Sequence, residues 1–77
     1  MEKTILYGVR PADYDEDVFV SASKDEVYAY ILDEEIVEGE IREYEYTGDV
    51  NAQYYDTSAM ELYDYSDIDY EYLLYMS

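Results

Sequence analysis

Cysteine, histidine and tryptophan are absent from this chain of 77 residues, and proline occurs once. Without cysteine there is neither a disulfide framework nor a thiolate metal site. Without histidine or cysteine, the usual general base and the thiol nucleophile are missing, which argues against an enzyme. Paired carboxylates can serve a glycosidase, but so short a chain scarcely encloses a sugar cleft. Positive charge is almost as scarce: 4 Lys and Arg stand against 21 Asp and Glu, for a formal net charge of -17. Phosphates attract cations, so free nucleic acid is excluded as a direct partner. An anionic membrane surface would repel the chain as well.

Long apolar runs are also lacking. No stretch approaches the ~18 apolar residues needed to cross a bilayer. The start, Met1 to Arg10, carries Glu2 and Lys3 around the short apolar run Thr4 to Val9, without the core and cleavage site of a signal peptide. The expectation is a cytoplasmic protein with no membrane partner. Isoleucine, leucine, valine and phenylalanine number 17 of 77, close to the composition of disordered chains at this charge. Thirteen tyrosines shift the balance, because each can bury a ring while its hydroxyl stays wet or hydrogen-bonded. The reading is one folded, marginal acidic domain over residues 1–77.

Lys3 to Val9 reads as a strand, Arg10 to Asp17 as an exposed loop around Pro11, and Val18-Phe19-Val20 as a second short strand. Ser23-Lys24-Asp25-Glu26 has the spacing of a capping box. Val27, Tyr30, Ile31 and Glu34 follow at helical spacing, so a helix is expected over Lys24 to Glu35. Asp33, Glu34 and Glu35 sit at its negative end, where each costs a few tenths of a kcal/mol; that placement suggests charges kept for something other than stability. Glu38 to Tyr46 resumes a strand, ending in the turn Thr47-Gly48-Asp49. Ser58-Ala59-Met60-Glu61 reads as a second capping box opening a short helix. From Asp67 the sequence alternates acid with apolar residue, which predicts a closing strand, although Tyr65, Ile68, Tyr72 and Tyr75 also fit a helical stripe. The sum is an α+β domain: a small, mainly antiparallel sheet with one well-capped helix and a second short one.

The distinctive pattern is acid interleaved with tyrosine: Glu43-Tyr44-Glu45-Tyr46, Tyr63-Asp64-Tyr65 and Asp69-Tyr70-Glu71-Tyr72. In a strand, alternation sends carboxylates to one face and rings to the other, with like residues ~6.6 Å apart. After Arg42 there are nine acids and no basic residue, whereas ordinary surfaces mix signs. Duplex DNA carries one charge per ~1.7 Å, so 17 charges correspond to ~29 Å of duplex. A compact chain of this length spans roughly 30 Å. Solubility needs far less charge, a net of ~2–8.

In size, acidity, missing cysteine and tyrosine beside carboxylate, the whole chain resembles the short acidic proteins, often phage-encoded, that mimic DNA. Those proteins inhibit nucleoid proteins of the HU kind, restriction enzymes, uracil-DNA glycosylase, RNA polymerase or CRISPR effectors. They share no motif or fold, so the resemblance implies a class of partner, a basic DNA-binding protein such as an HU-like protein or an anti-phage nuclease, and no residue roles. The expected contact surface joins the loop acids Asp13, Asp15, Glu16 and Asp17 to the helix-end acids Asp33, Glu34, Glu35 and Glu38. To these it adds Glu43 and Glu45 with Tyr44 and Tyr46, then Asp64, Asp67, Asp69 and Glu71 with Tyr70 and Tyr72 as rim rings.

Two other readings stay open: an acidic adaptor that docks on a basic patch without copying DNA, and halophilic adaptation, which explains the total charge but not the interleaving. A homodimer stays open too. Asp13 to Asp17 begins like a calcium loop, but Val18 stands where glycine is needed and Lys24 where a bidentate glutamate is. No metal or cofactor is expected. The tyrosines invite phosphorylation or sulfation, but read more simply as core and rim rings.

Overall fold

The computed structural model describes residues 3–77. Strand β1 (Thr4–Pro11) is followed by β2 (Phe19–Ser21), helix α1 (Lys24–Asp33) and β3 (Gly39–Tyr46). A single 3-10 turn (Thr57–Ala59) then leads into β4 (Met60–Asp67) and the terminal helix α2 (Tyr70–Met76). The strands form one antiparallel sheet in the order β2-β1-β3-β4. The α+β class expected from the sequence is the class observed, and no helix among the described residues is long and apolar enough to cross a membrane.

A core forms on each face of β1 because its apolar residues point to both sides. Val9 joins Val27, Ile31, Ile41, Ile68 and Leu73 in a core beneath the helices. Leu6 points the other way, into a smaller core with Tyr44 and Tyr46 that the 47–59 excursion covers. Leu6, Val9, Val27 and Ile31 are completely buried, and such a side chain contributes about 1.5–3 kcal/mol each. Phe19 on β2 stacks on Tyr30 of α1 with centroids 4.5 Å apart and planes within 4°. Tyr55 meets Tyr46 edge-on at 5.4 Å and 81°, and the Tyr46 hydroxyl accepts the Asp56 amide at 3.0 Å.

Helix α1 starts where its capping signal places it, though the box is wired through a third residue. The Ser23 hydroxyl accepts the Glu26 amide at 3.4 Å. The Glu26 carboxylate does not return to the Ser23 amide; it accepts from the buried Ser21 hydroxyl at 2.7 Å, and the Ser21 oxygen takes the Ser23 amide at 3.0 Å. The C-terminus closes as a Schellman motif: Ile36 N–H donates to the Ile31 carbonyl and Glu35 N–H to that of Leu32. Glu35 occupies its left-handed position, with φ 53°, where glycine is usual.

The last twenty residues differ from the sequence reading. Ser58 does not open a helix. Asp56 caps instead, its Oδ1 accepting from the Ser58 amide and hydroxyl, and the single turn ends at Met60. The chain then extends because β3 has one open edge, and Met60–Asp67 fills it from Tyr46↔Met60 to Glu40↔Asp67, with a bulge that leaves Tyr63 without a partner on β3. That leaves no place on β3 for the expected closing strand from Asp67. Asp69 Oδ1 accepts the Tyr72 amide at 3.2 Å and starts α2, which turns Leu73 into the helix-side core.

Candidate functional site

Strand direction decides where the acids gather. β1 ends at Pro11, which pairs with Gly39 at the start of β3, while Glu40 pairs with Asp67 at the end of β4. Three connections therefore share one end of the sheet: the 12–18 loop, the 34–38 link from α1, and the 68–69 link into α2. The Ala12 amide donates to the Glu38 carbonyl at 3.1 Å and the Ile68 amide to that of Gly39 at 3.0 Å, tying the three together. Gly39 is needed at this seam: its φ is 149°, and a Cβ there would collide with the Arg10 carbonyl.

Exposed on that end are Asp13, Asp15 and Glu16 from the loop, and Asp33, Glu34, Glu35 and Glu38 from the helix end. Asp67, Asp69 and Glu71 arrive from β4 and α2, also exposed. With half-buried Glu40, eleven carboxylates converge on the end of one small sheet. The α1 carbonyl terminus adds its partial negative charge there. Asp33 to Glu35 thus stand at the negative end of α1, as the sequence suggested, and Glu35 also bears a backbone strain that glycine would not.

All four basic side chains are engaged. Lys3, before β1, bridges Glu45 at 2.9 Å, and the bond to Glu45 followed by its charge raises the lysine above its ordinary value. Lys24, at the other end of α1 from the acids, lies 5.8 Å from the centroids of both the Tyr7 and Tyr28 rings. The arginines are within reach of the acidic end but committed: Arg10 Nε donates to Asp17 Oδ1 at 3.0 Å, and Arg42 donates to Glu40 and to the Tyr44 hydroxyl, each at 3.0 Å. Tyr44 in turn donates to Asp17 Oδ2. Burial first, then the bond to Asp17, raises the Tyr44 hydroxyl above its ordinary value.

Several residues expected at the contact surface do other work. Asp17 has a side chain only 10% exposed and is a structural acceptor folded over β1, where Gly8 leaves room: a Cβ there would overlap the carboxylate. Tyr44 and Tyr46 are 8% and 1% exposed, so neither is a rim ring; strand alternation turned them into the core under the 47–59 excursion, while Glu43 and Glu45 took the opposite face and are half-buried there. Tyr70 packs against the helix-side core, and Tyr72 alone of the four is exposed. Glu43, Glu45 and Asp64 lie apart from the acidic end, on the helix-side face of β3 and β4. There Glu43 faces Asp64 and Glu45 faces Glu61 across the strands, like-charge pairings that destabilise a sheet.

Two residues at the acidic end escaped the sequence reading. Tyr14 is 57% exposed and lines, with Arg10, Glu40 and Asp67, an open recess of about 360 Å³. Its signal was present, since Asp13-Tyr14-Asp15 repeats the acid–tyrosine pattern. Glu40 stands between Gly39 and Ile41 and so falls outside that pattern. Among the described residues no three acids are arranged to hold a metal ion: the carboxylates spread across a surface instead of converging on a point. No family model, curated protein or solved structure matches this chain.

Proposed function

We propose that this protein imitates the charge surface of DNA and occupies the nucleic-acid site of a basic protein, as an inhibitor rather than an enzyme. The segregation of charge carries the reading. Eleven carboxylates share one end of the sheet, both lysines stand away from it, and both arginines are tied to carboxylates. Setting aside Glu2, which lies outside the described residues, the net charge of -17 becomes -16, spread along a long axis of 37 Å. That is one charge per about 2.3 Å of axis, against ~1.7 Å for duplex DNA. The spread of carboxylates over a surface suits lysines and arginines that normally hold a row of phosphates, and Tyr14 and Tyr72 offer exposed rings for cation–π contact.

The partner class that fits is a basic DNA-binding protein of the bacterial cytoplasm, such as a nucleoid protein of the HU kind or an anti-phage nuclease. The test is a pull-down of the tagged protein from bacterial lysate at moderate salt, with and without competing duplex DNA. Recovery of a basic DNA-binding protein that DNA displaces is the expected result. A partner that DNA leaves in place makes the protein an acidic adaptor and overturns the mimicry. Affinity should also fall steeply between about 50 and 200 mM salt, since charge steers the encounter.

A further inference from the structure

The sheet has two edges of different character. β2, at one edge, is three residues long, a length too short to template pairing. β4, at the other, is eight residues long and exposed from Glu61 through Asp67. Neither lysine nor proline blunts it, although both are common guards of an open edge; its one irregularity is the bulge at Tyr63, which leaves Asp64 to Asp67 as a regular run. What it carries instead is negative charge and exposed apolar surface: Glu61 and Asp64 on the helix-side face, Leu62 and Tyr65 on the opposite face, 43% and 57% exposed. One outward backbone donor is identified directly. The Tyr65 amide is not spent on β3; it is taken by the Asp64 carboxylate of its own strand at 2.8 Å.

We infer that the outer edge of β4 accepts an extended, lysine- or arginine-rich segment of the partner as a fifth strand. The inference rests on the reading above that the partner is basic. Charge selects the occupant. A second copy of the chain would bring Glu61, Asp64 and Asp67 against the same residues, and like charges directly opposite are destabilising. A basic strand meets the opposite arrangement: its alternate cations face Asp64, Glu61 and, one strand further in, Glu43 and Glu45. Its other side chains cover Leu62 and Tyr65. Its backbone carbonyl takes the Tyr65 N–H, which releases the Asp64 carboxylate to pair with an incoming cation. Main-chain bonds supply the register and alternate side chains the selectivity, as in other strand additions.

Two amidated peptides of equal charge separate strand addition from plain attraction: Lys-Val-Lys-Val-Lys-Val-Lys, which can extend and pair, and Lys-Pro-Lys-Pro-Lys-Pro-Lys, whose prolines have no N–H to donate at the positions that face β4 when the lysines face Glu61 and Asp64. Titrated into the isotopically labelled protein at about 50 mM NaCl, the valine peptide should bind at least about tenfold tighter. The Tyr65 amide should shift and gain protection from hydrogen exchange. Tyr65→Pro removes the outward donor without touching the bonds to β3 and should bring the valine peptide down to the affinity of the proline peptide. Unchanged exchange at Leu6 and Ile41 verifies that the variant is folded, and the two-peptide comparison on the unaltered chain needs no variant. Equal, salt-sensitive binding of both peptides overturns the strand addition and leaves the charge reading standing. Binding of neither overturns both. A sedimentation mass of twice the chain, with Tyr65 already protected, assigns the edge to a second copy instead.

Discussion

Replacing Glu35 with glycine should make this protein more stable, and the size of the gain follows from three contributions. Glu35 holds φ at 53° to close the Schellman motif after α1, and a side chain in the left-handed region costs roughly 1–2 kcal/mol. Glycine removes that strain, but its freer unfolded chain takes back about 0.5–1 kcal/mol. Removing an anion beside Asp33 and Glu34 at a helix C-terminus returns a further ~0.3–1 kcal/mol at low salt. The net is a stabilisation of about 1 kcal/mol, or roughly 4–8 °C in Tm for a domain of this size. Thermal and urea unfolding followed by circular dichroism measure it. Glu35→Ala separates the contributions, because alanine loses the charge and keeps the strained backbone, so it should gain only a few tenths. A glycine variant no more stable than the parent would refute the strain argument, and an alanine variant equal to the glycine one would reduce the effect to charge alone. In either variant, affinity for a basic partner should fall, the result expected if the glutamate is retained for binding.

Gly39→Ala should cost about 2–4 kcal/mol, because it combines a forbidden φ with a collision against the Arg10 carbonyl; an unchanged urea midpoint would contradict that geometry. The raised Tyr44 hydroxyl gives an alkaline signature. Between its unfolded value near 10 and its higher folded value, the native state keeps a proton that the unfolded chain has lost, so its stability contribution is complete below that range and declines as pH rises through it. Tyr44→Phe should flatten this dependence above about pH 10, and should cost about 1–2 kcal/mol at neutral pH as Asp17 and Arg42 each lose a partner. An identical pH profile in the variant would place the effect elsewhere.

The first forty-six residues could be read from the sequence because their signals are local. Ser23 with Glu26 marks a helix start at any depth of burial, and the apolar spacing of Val27 and Ile31 needs only one neighbour to satisfy it. The β1 and β3 segments show in their own composition, though Arg10 and Pro11 end β1 instead of opening the loop. The final segment was harder because its outcome was set by a vacancy in the sheet. Met60 to Asp67 shows weak alternation, and it became a strand because β3 offered it an edge. Asp67 to Leu74 alternates better and became mostly helix because β3 had no edge left to offer and Leu73 had a core to reach. The acidic surface was legible as charge and as segments, since the loop, helix-end and C-terminal acids do meet at one end. Their meeting depends on strand direction, which composition does not encode. The tyrosines were legible as a pattern but not by role: strand parity turned Tyr44 and Tyr46 inward, while Tyr14 kept its ring in water.

The engagement of all four basic side chains reaches beyond the molecule. A surface that cannot neutralise itself is neutralised by its solvent, and the carboxylates of the sheet end must hold an atmosphere of small mobile cations, as a duplex does. Any partner that docks on that end sets part of the atmosphere free, and the entropy of those dispersed ions becomes a driving force that no side-chain contact supplies. Under the proposed mimicry, the protein would copy nucleic acid in the ions it sheds as well as in the charges it shows.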